Sequence, residues 1–86
     1  MKNLTPSERR ALEAVARGEV LRIYRKDGNT FRAPPGLGAA TLWRLASRWL
    51  IADGATLHHG LDTHVRMQLT VRGKNALASP TLQVVP

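Results

Sequence analysis

The chain has no cysteine, so no disulfide framework and no thiolate metal site is available, and folding rests on packing alone. Acidic side chains are scarce: six Asp and Glu stand against thirteen Lys and Arg, a formal net charge of +7 over 86 residues. Two Trp, one Tyr and one Phe are the only aromatic residues, and a chain this short buries only about 60% of its unfolded surface, so every large side chain counts. No apolar run approaches the roughly 20 residues of a membrane span, and the opening MKNLTPSERR lacks the hydrophobic stretch of a secretion signal. Together these absences predict one soluble cytoplasmic α+β domain over residues 1–79, a short tail over 80–86, and no membrane association.

The scarcity of acids also bears on catalysis. Glu8 is placed to cap a helix, and Asp27, Asp53 and Asp62 sit at turns, so no paired acid/base constellation can be drawn. Neither a phosphate-binding loop nor a nucleophile elbow is present, because Gly36-Leu37-Gly38 lacks a third glycine and follows Pro34-Pro35 rather than a strand. The expectation is a binding protein without cofactor, not an enzyme.

Cations are what the chain has in quantity, and arginine outnumbers lysine among them, which suits forked contacts to phosphates and base edges. Thr5, Pro6 and Glu8 form a capping box that opens a first helix over 6–17, with Ala11, Leu12, Val15 and Ala16 on its buried stripe and Gly18 ending it. Val20 to Ala33 alternates around Asp27-Gly28 and reads as a β-hairpin, in which Tyr24 and Phe31 are expected to face each other. Pro34 to Gly38 is a connecting loop.

A second helix is predicted from Ala39 to Leu50. Leu42, Leu45, Ala46 and Trp49 share its apolar stripe, so Trp49 is expected in the core, while Thr41, Arg44, Ser47 and Arg48 fall on the opposite, cationic side. No acid lies one turn away on that helix to neutralise Arg44 or Arg48. The stretches Ala55 to His59 and Thr63 to Leu69 pair across Gly60-Leu61-Asp62 as a second hairpin, and Thr70 caps a last helix over Val71 to Ala78. Leu4-Thr5 with Ala11-Leu12 is echoed by Leu69-Thr70 with Ala76-Leu77, a shared way of starting a helix rather than a duplication.

Leu4-Thr5-Pro6 with Arg9-Arg10-Ala11-Leu12, Thr41 to Leu45 running on through Leu50-Ile51, and Val65 to Thr70 with Gly73 and Ala76-Leu77 resemble the winged-helix superfamily. They are similar in particular to small bacterial and phage regulators of the multiple-antibiotic-resistance repressor type. The elements read in the order α-β-β-α-β-β-α, which the resemblance makes a compact winged helix, and the chain departs from the family in having a hairpin where the family has its second helix. It implies that Ala39 to Leu50 is a recognition helix for the major groove and Ala55 to Leu69 a wing. Carried over by position, Thr41, Arg44, Ser47 and Arg48 would face bases and phosphates, and Arg66 with His58, His59 or His64 would serve the wing. Arg22, Arg25, Lys26 and Arg32 of the first hairpin would supply backbone contacts.

Double-stranded DNA is thus the expected partner, and transcriptional regulation, from a phage or mobile element, the expected role. The alternative is a winged-helix protein-interaction module that sets the same basic face against an acidic protein. The tail, either flexible or a pairing strand, can add Thr81 to Val85 as a strand to a partner or to a second copy, the latter giving a homodimer. His58, His59, His64 and Asp62 gather at one turn, but without cysteine or a second cluster they predict no metal site. Protonation of those histidines would instead favour phosphate at mildly acid pH.

Overall fold

In the computed structural model, which describes residues 4–78, the capping box closes in both directions. The Glu8 backbone N–H donates to Thr5 Oγ1 (3.1 Å), and the Thr5 N–H donates to Glu8 Oε1 (3.0 Å). The helix it starts, α1 (Pro6–Ala16), buries Ala11, Leu12, Ala14 and Val15. Arg17 caps its end, and Gly18 turns the chain at φ +77°, where glycine carries no side-chain penalty.

The expected order α-β-β-α-β-β-α is present: β1 (Leu21–Arg25), β2 (Gly28–Arg32), α2 (Ala39–Ser47), β3 (Ile51–His59), β4 (Thr63–Leu69) and α3 (Val71–Ala78) follow α1. The two hairpins join into one four-stranded antiparallel sheet of order β2-β1-β4-β3. The β1–β4 pairing that joins them sets Leu21 opposite Arg66 and Tyr24 opposite Thr63. The second hairpin is therefore braced along β4 up to its turn, and β3 starts at Ile51 rather than Ala55, with irregular register between Asp53 and His58. Leu12, Val15, Val20, Leu42, Leu45, Leu50, Ile51 and Met67 fill the core between helices and sheet.

Three local expectations are corrected. Ala16, expected on the buried stripe of α1, is exposed, and Ala14 is buried in its stead. Tyr24 and Phe31 do not face each other: Arg22 lies opposite Phe31 and Asn29 opposite Tyr24, so an arginine separates the rings. Helix α2 stops at Ser47, not Leu50, and Trp49 sits at φ +60° with its side chain 69% exposed instead of in the core. A residue beyond the last helical turn leaves the apolar stripe that helical periodicity assigned to it.

Among the described residues no helix is long and apolar enough to cross a membrane. Residues 79–86, which hold Ser79-Pro80 and the expected pairing strand of the tail, lie outside the described part.

Candidate nucleic-acid interface

The exposed side of α2 is built against α1. Arg44, 55% exposed, brings Nε to 3.3 Å from Glu8 Oε2, and Arg48, 31% exposed, brings Nη1 to 3.4 Å from the same oxygen. Glu8 itself is only 4% exposed, with its other oxygen engaged in the α1 cap. One buried carboxylate thus both starts α1 and grips two arginines of α2, so the two cations are not unopposed, as the reading of α2 in isolation predicts. The opposing charge comes from a residue distant in sequence, which spacing along one helix does not reveal.

Arg44 Nη2 reaches toward Thr41 Oγ1 (3.5 Å), and Ser47 Oγ donates to the Arg44 carbonyl (2.8 Å). With Nε facing Glu8 and the side chain 55% exposed, the rest of the Arg44 guanidinium is open to solvent. Its five N–H donors exceed what Glu8 and Thr41 can accept, so donors remain for a ligand. Thr41 is half-buried and Ser47 exposed.

The carboxyl end of α2 is fastened to α3. Thr70 N–H donates to the Leu50 carbonyl (3.1 Å), Thr70 Oγ1–H donates to the Trp49 carbonyl (2.6 Å), and Arg72 Nη1 donates to the Arg48 carbonyl (3.3 Å). Thr70 Oγ1 also accepts from the Gly73 N–H (2.9 Å), capping α3. At Gly73 a Cβ would stand 2.0 Å from the Leu50 oxygen, so only glycine admits this approach. Leu50-Ile51 and Leu69-Thr70 with Gly73 are therefore the two sides of one junction.

The sheet divides the other expected cations into engaged and unopposed ones. Arg22 is turned inward, its side chain 19% exposed: Nε donates to Asn29 Oδ1 (3.0 Å), Nη1 stands 3.6 Å from Asp53 Oδ1, and the guanidinium lies 4.8 to 5.3 Å from the ring centres of Trp43, Tyr24 and Phe31. Phe31 and Trp43 meet edge to face at 4.8 Å, so three of the four aromatic rings surround one cation. Beside it, Tyr24 OH donates to Asp53 Oδ2; burial, then this hydrogen bond, holds the phenol above its ordinary range. Arg25 ties the turns of the two hairpins together through Asp62 (3.4 Å).

Lys26, Arg32, Arg66 and Lys74 are exposed, with no carboxylate within ion-pair distance among the described residues. Arg25 and Arg32 share a groove of about 390 Å³ with Ala39 at the start of α2, which sets these two cations beside that helix. Arg66 lies elsewhere, lining a groove of about 380 Å³ with Arg17, Gly18 and Lys74. The backbone pairs His58 with His64 and His59 with Thr63, and His64 is half-buried. Among the described residues no group of three or more His, Asp or Glu side chains is placed to hold a metal ion.

Sequence reasoning missed three participants: Glu8 as the anchor of Arg44 and Arg48, Arg72 at the end of α2, and the exposed Trp49. Only Arg72 carries a hint in the sequence, as a cation in a capped helix start. No family model matches the chain, and no curated protein or solved structure matches it either.

Proposed function

We propose that this chain is a winged-helix double-stranded DNA-binding domain, acting in the cytoplasm as a small transcriptional regulator, with α2 as the reading helix, the β3–β4 hairpin as the wing and the β1–β2 hairpin in place of a second helix. Arg44 carries the reading: an arginine on an outward helix face, oriented through Nε by a buried carboxylate, with its outer donors open. A guanidinium already drawn toward one carboxylate loses less side-chain freedom when it pairs with a guanine edge or a phosphate. The Leu50–Thr70–Gly73 junction supports the same reading, since it joins the helix, the hairpin and the capped last helix that the resemblance rests on. Arg32, beside the start of α2, and Lys26, at the turn of the first hairpin, supply contacts to the phosphate backbone, and Arg66 adds a separate one from β4. Arg22 and Arg48 serve as braces for the surfaces that carry those contacts.

Fluorescence anisotropy with a short duplex of random sequence, measured over a range of salt, tests this. Lys26→Ala and Arg32→Ala are expected to weaken all duplexes alike and to flatten the dependence of log K on log salt by about 0.9 per phosphate contact removed. Arg44→Ala is expected to lose about 1 to 3 kcal/mol of discrimination between a selected site and random duplex. A wild-type chain that binds no duplex at low salt overturns the proposal.

An acidic protein partner is the second reading. It is favoured by the full exposure of Leu61 at the second turn and the exposure of Val71 at the start of α3, apolar side chains that a protein surface would cover. Its mark would be unchanged duplex anisotropy across the whole range of salt.

A further inference from the structure

Helices α1 and α2 end in the same motif with different residues at its critical position. In α1, Gly18 N–H donates to the Val15 carbonyl and Glu19 N–H to the Ala14 carbonyl, both at 3.0 Å. In α2, Trp49 N–H donates to the Ala46 carbonyl and Leu50 N–H to the Leu45 carbonyl, again both at 3.0 Å. These are the two paired bonds of a Schellman ending, which needs one residue in the left-handed region just past the cap. Gly18 takes that place at φ +77° and Trp49 at φ +60°.

Glycine occupies the left-handed region freely, whereas a bulky side chain there is strained. The tryptophan is thus held against its own backbone preference, and the hydrogen bonds from Thr70 and Arg72 to the carbonyls of residues 48 to 50 hold it there. Packing does not explain its presence, because its side chain is 69% exposed. A strained residue that the surrounding structure fixes, with a large apolar side chain turned to water, marks a contact made with something outside the chain. Arg72 lies beside it, exposed and with no carboxylate paired to it among the described residues, whereas the neighbouring Arg48 is held by Glu8. That charge selects a polyanion.

We infer that Trp49 is a DNA-contacting side chain, an indole presented at the end of α2 to pack on the sugars and base edges of the duplex just beyond the reading helix. The inference rests on the DNA reading above and adds to it an apolar contact that neither arginine can supply. Its signature is an opposition between stability and binding, since the residue that best suits the backbone is not the one that best suits the ligand.

Two variants test it, Trp49→Gly and Trp49→Asn, because both residues accept the left-handed conformation without the indole. Trp49→Gly is expected to raise the melting temperature by roughly 5 °C. It is also expected to weaken random-duplex binding by about tenfold, the loss of one buried aromatic contact. Trp49→Asn should show the same opposition with a smaller thermal gain. In a Trp43→Phe background Trp49 is the sole tryptophan, and its emission should shift on adding duplex. Variants that melt higher but bind duplex as the wild type does, or that melt lower, overturn the inference. A wild type that binds no duplex overturns the DNA reading as well, and shows it before any variant is made.

Discussion

Helices α1 and α3 begin alike, and both grip the carboxyl end of α2. Each starts with Leu-Thr, Leu4-Thr5 or Leu69-Thr70, and in each the threonine hydroxyl accepts the N–H of the residue three positions on. In each, too, the threonine carbonyl accepts the first helical bond at 2.9 Å, from Arg9 or Lys74. The difference lies at the third helical position, Glu8 in α1 and Gly73 in α3. Glu8 completes its cap and reaches across to Arg44 and Arg48, fixing side chains on the outer face of α2. Gly73 has no side chain, and its emptiness admits the Leu50 carbonyl, fixing the main chain where α2 gives way to β3. One local solution for starting a helix therefore serves two kinds of docking, one through charge and one through close approach.

The largest test of that contrast is Gly73→Ala. Alanine favours helix over glycine by about 1 kcal/mol, but its Cβ would stand 2.0 Å from a backbone oxygen that cannot rotate away. The clash should win, with a net loss of about 3 kcal/mol in urea unfolding; a variant as stable as the wild type would show that α3 is not seated on Leu50. Next comes Glu8, where Glu8→Ala removes the cap partner of Thr5 and the shared anchor of two arginines. Because Arg44 is more than half exposed, its ion pair is discounted for solvent screening, and the expected loss is about 2 kcal/mol. Glu8→Gln keeps the capping-box geometry and should lose less than half as much. Equal losses for both would mean that charge, not the cap, carries the contribution.

The smallest effects separate the two threonines. Thr5→Ala should cost about 1 kcal/mol, the ordinary value of a lost cap. Thr70→Ala removes that bond and also the hydroxyl that donates to the Trp49 carbonyl, so it should cost about 0.5 to 1 kcal/mol more. Identical unfolding midpoints for the two variants would leave the Thr70–Trp49 bond without a role.

Local chemistry made much of this molecule legible. The box at Thr5 and Glu8, the Asp27-Gly28 turn, the Gly60 to Asp62 turn and the Thr70 cap are written in neighbouring residues, and the elements they bound appear where spacing puts them. The errors have two causes. Helical periodicity carried past the true end of α2 assigns Trp49 to the core, because no glycine or proline announces that end and a tryptophan occupies the glycine position. Arg22 looks like any exposed strand cation until Asp53 and three rings, brought from β3, β1, β2 and α2, close around it.

By itself, then, the sequence determined the order of the helices and strands, the caps that start α1 and α3 and the excess of cations, since each depends on residues within about one turn or one strand pair. Tertiary structure alone decided which cations stay open, which are held by Glu8, Asp53 or Asp62, and that Trp49 faces outward. Those outcomes depend on partners tens of residues away, and only the joining of the two hairpins through β1 and β4 and the docking of α2 between two threonine caps bring them within hydrogen-bonding distance.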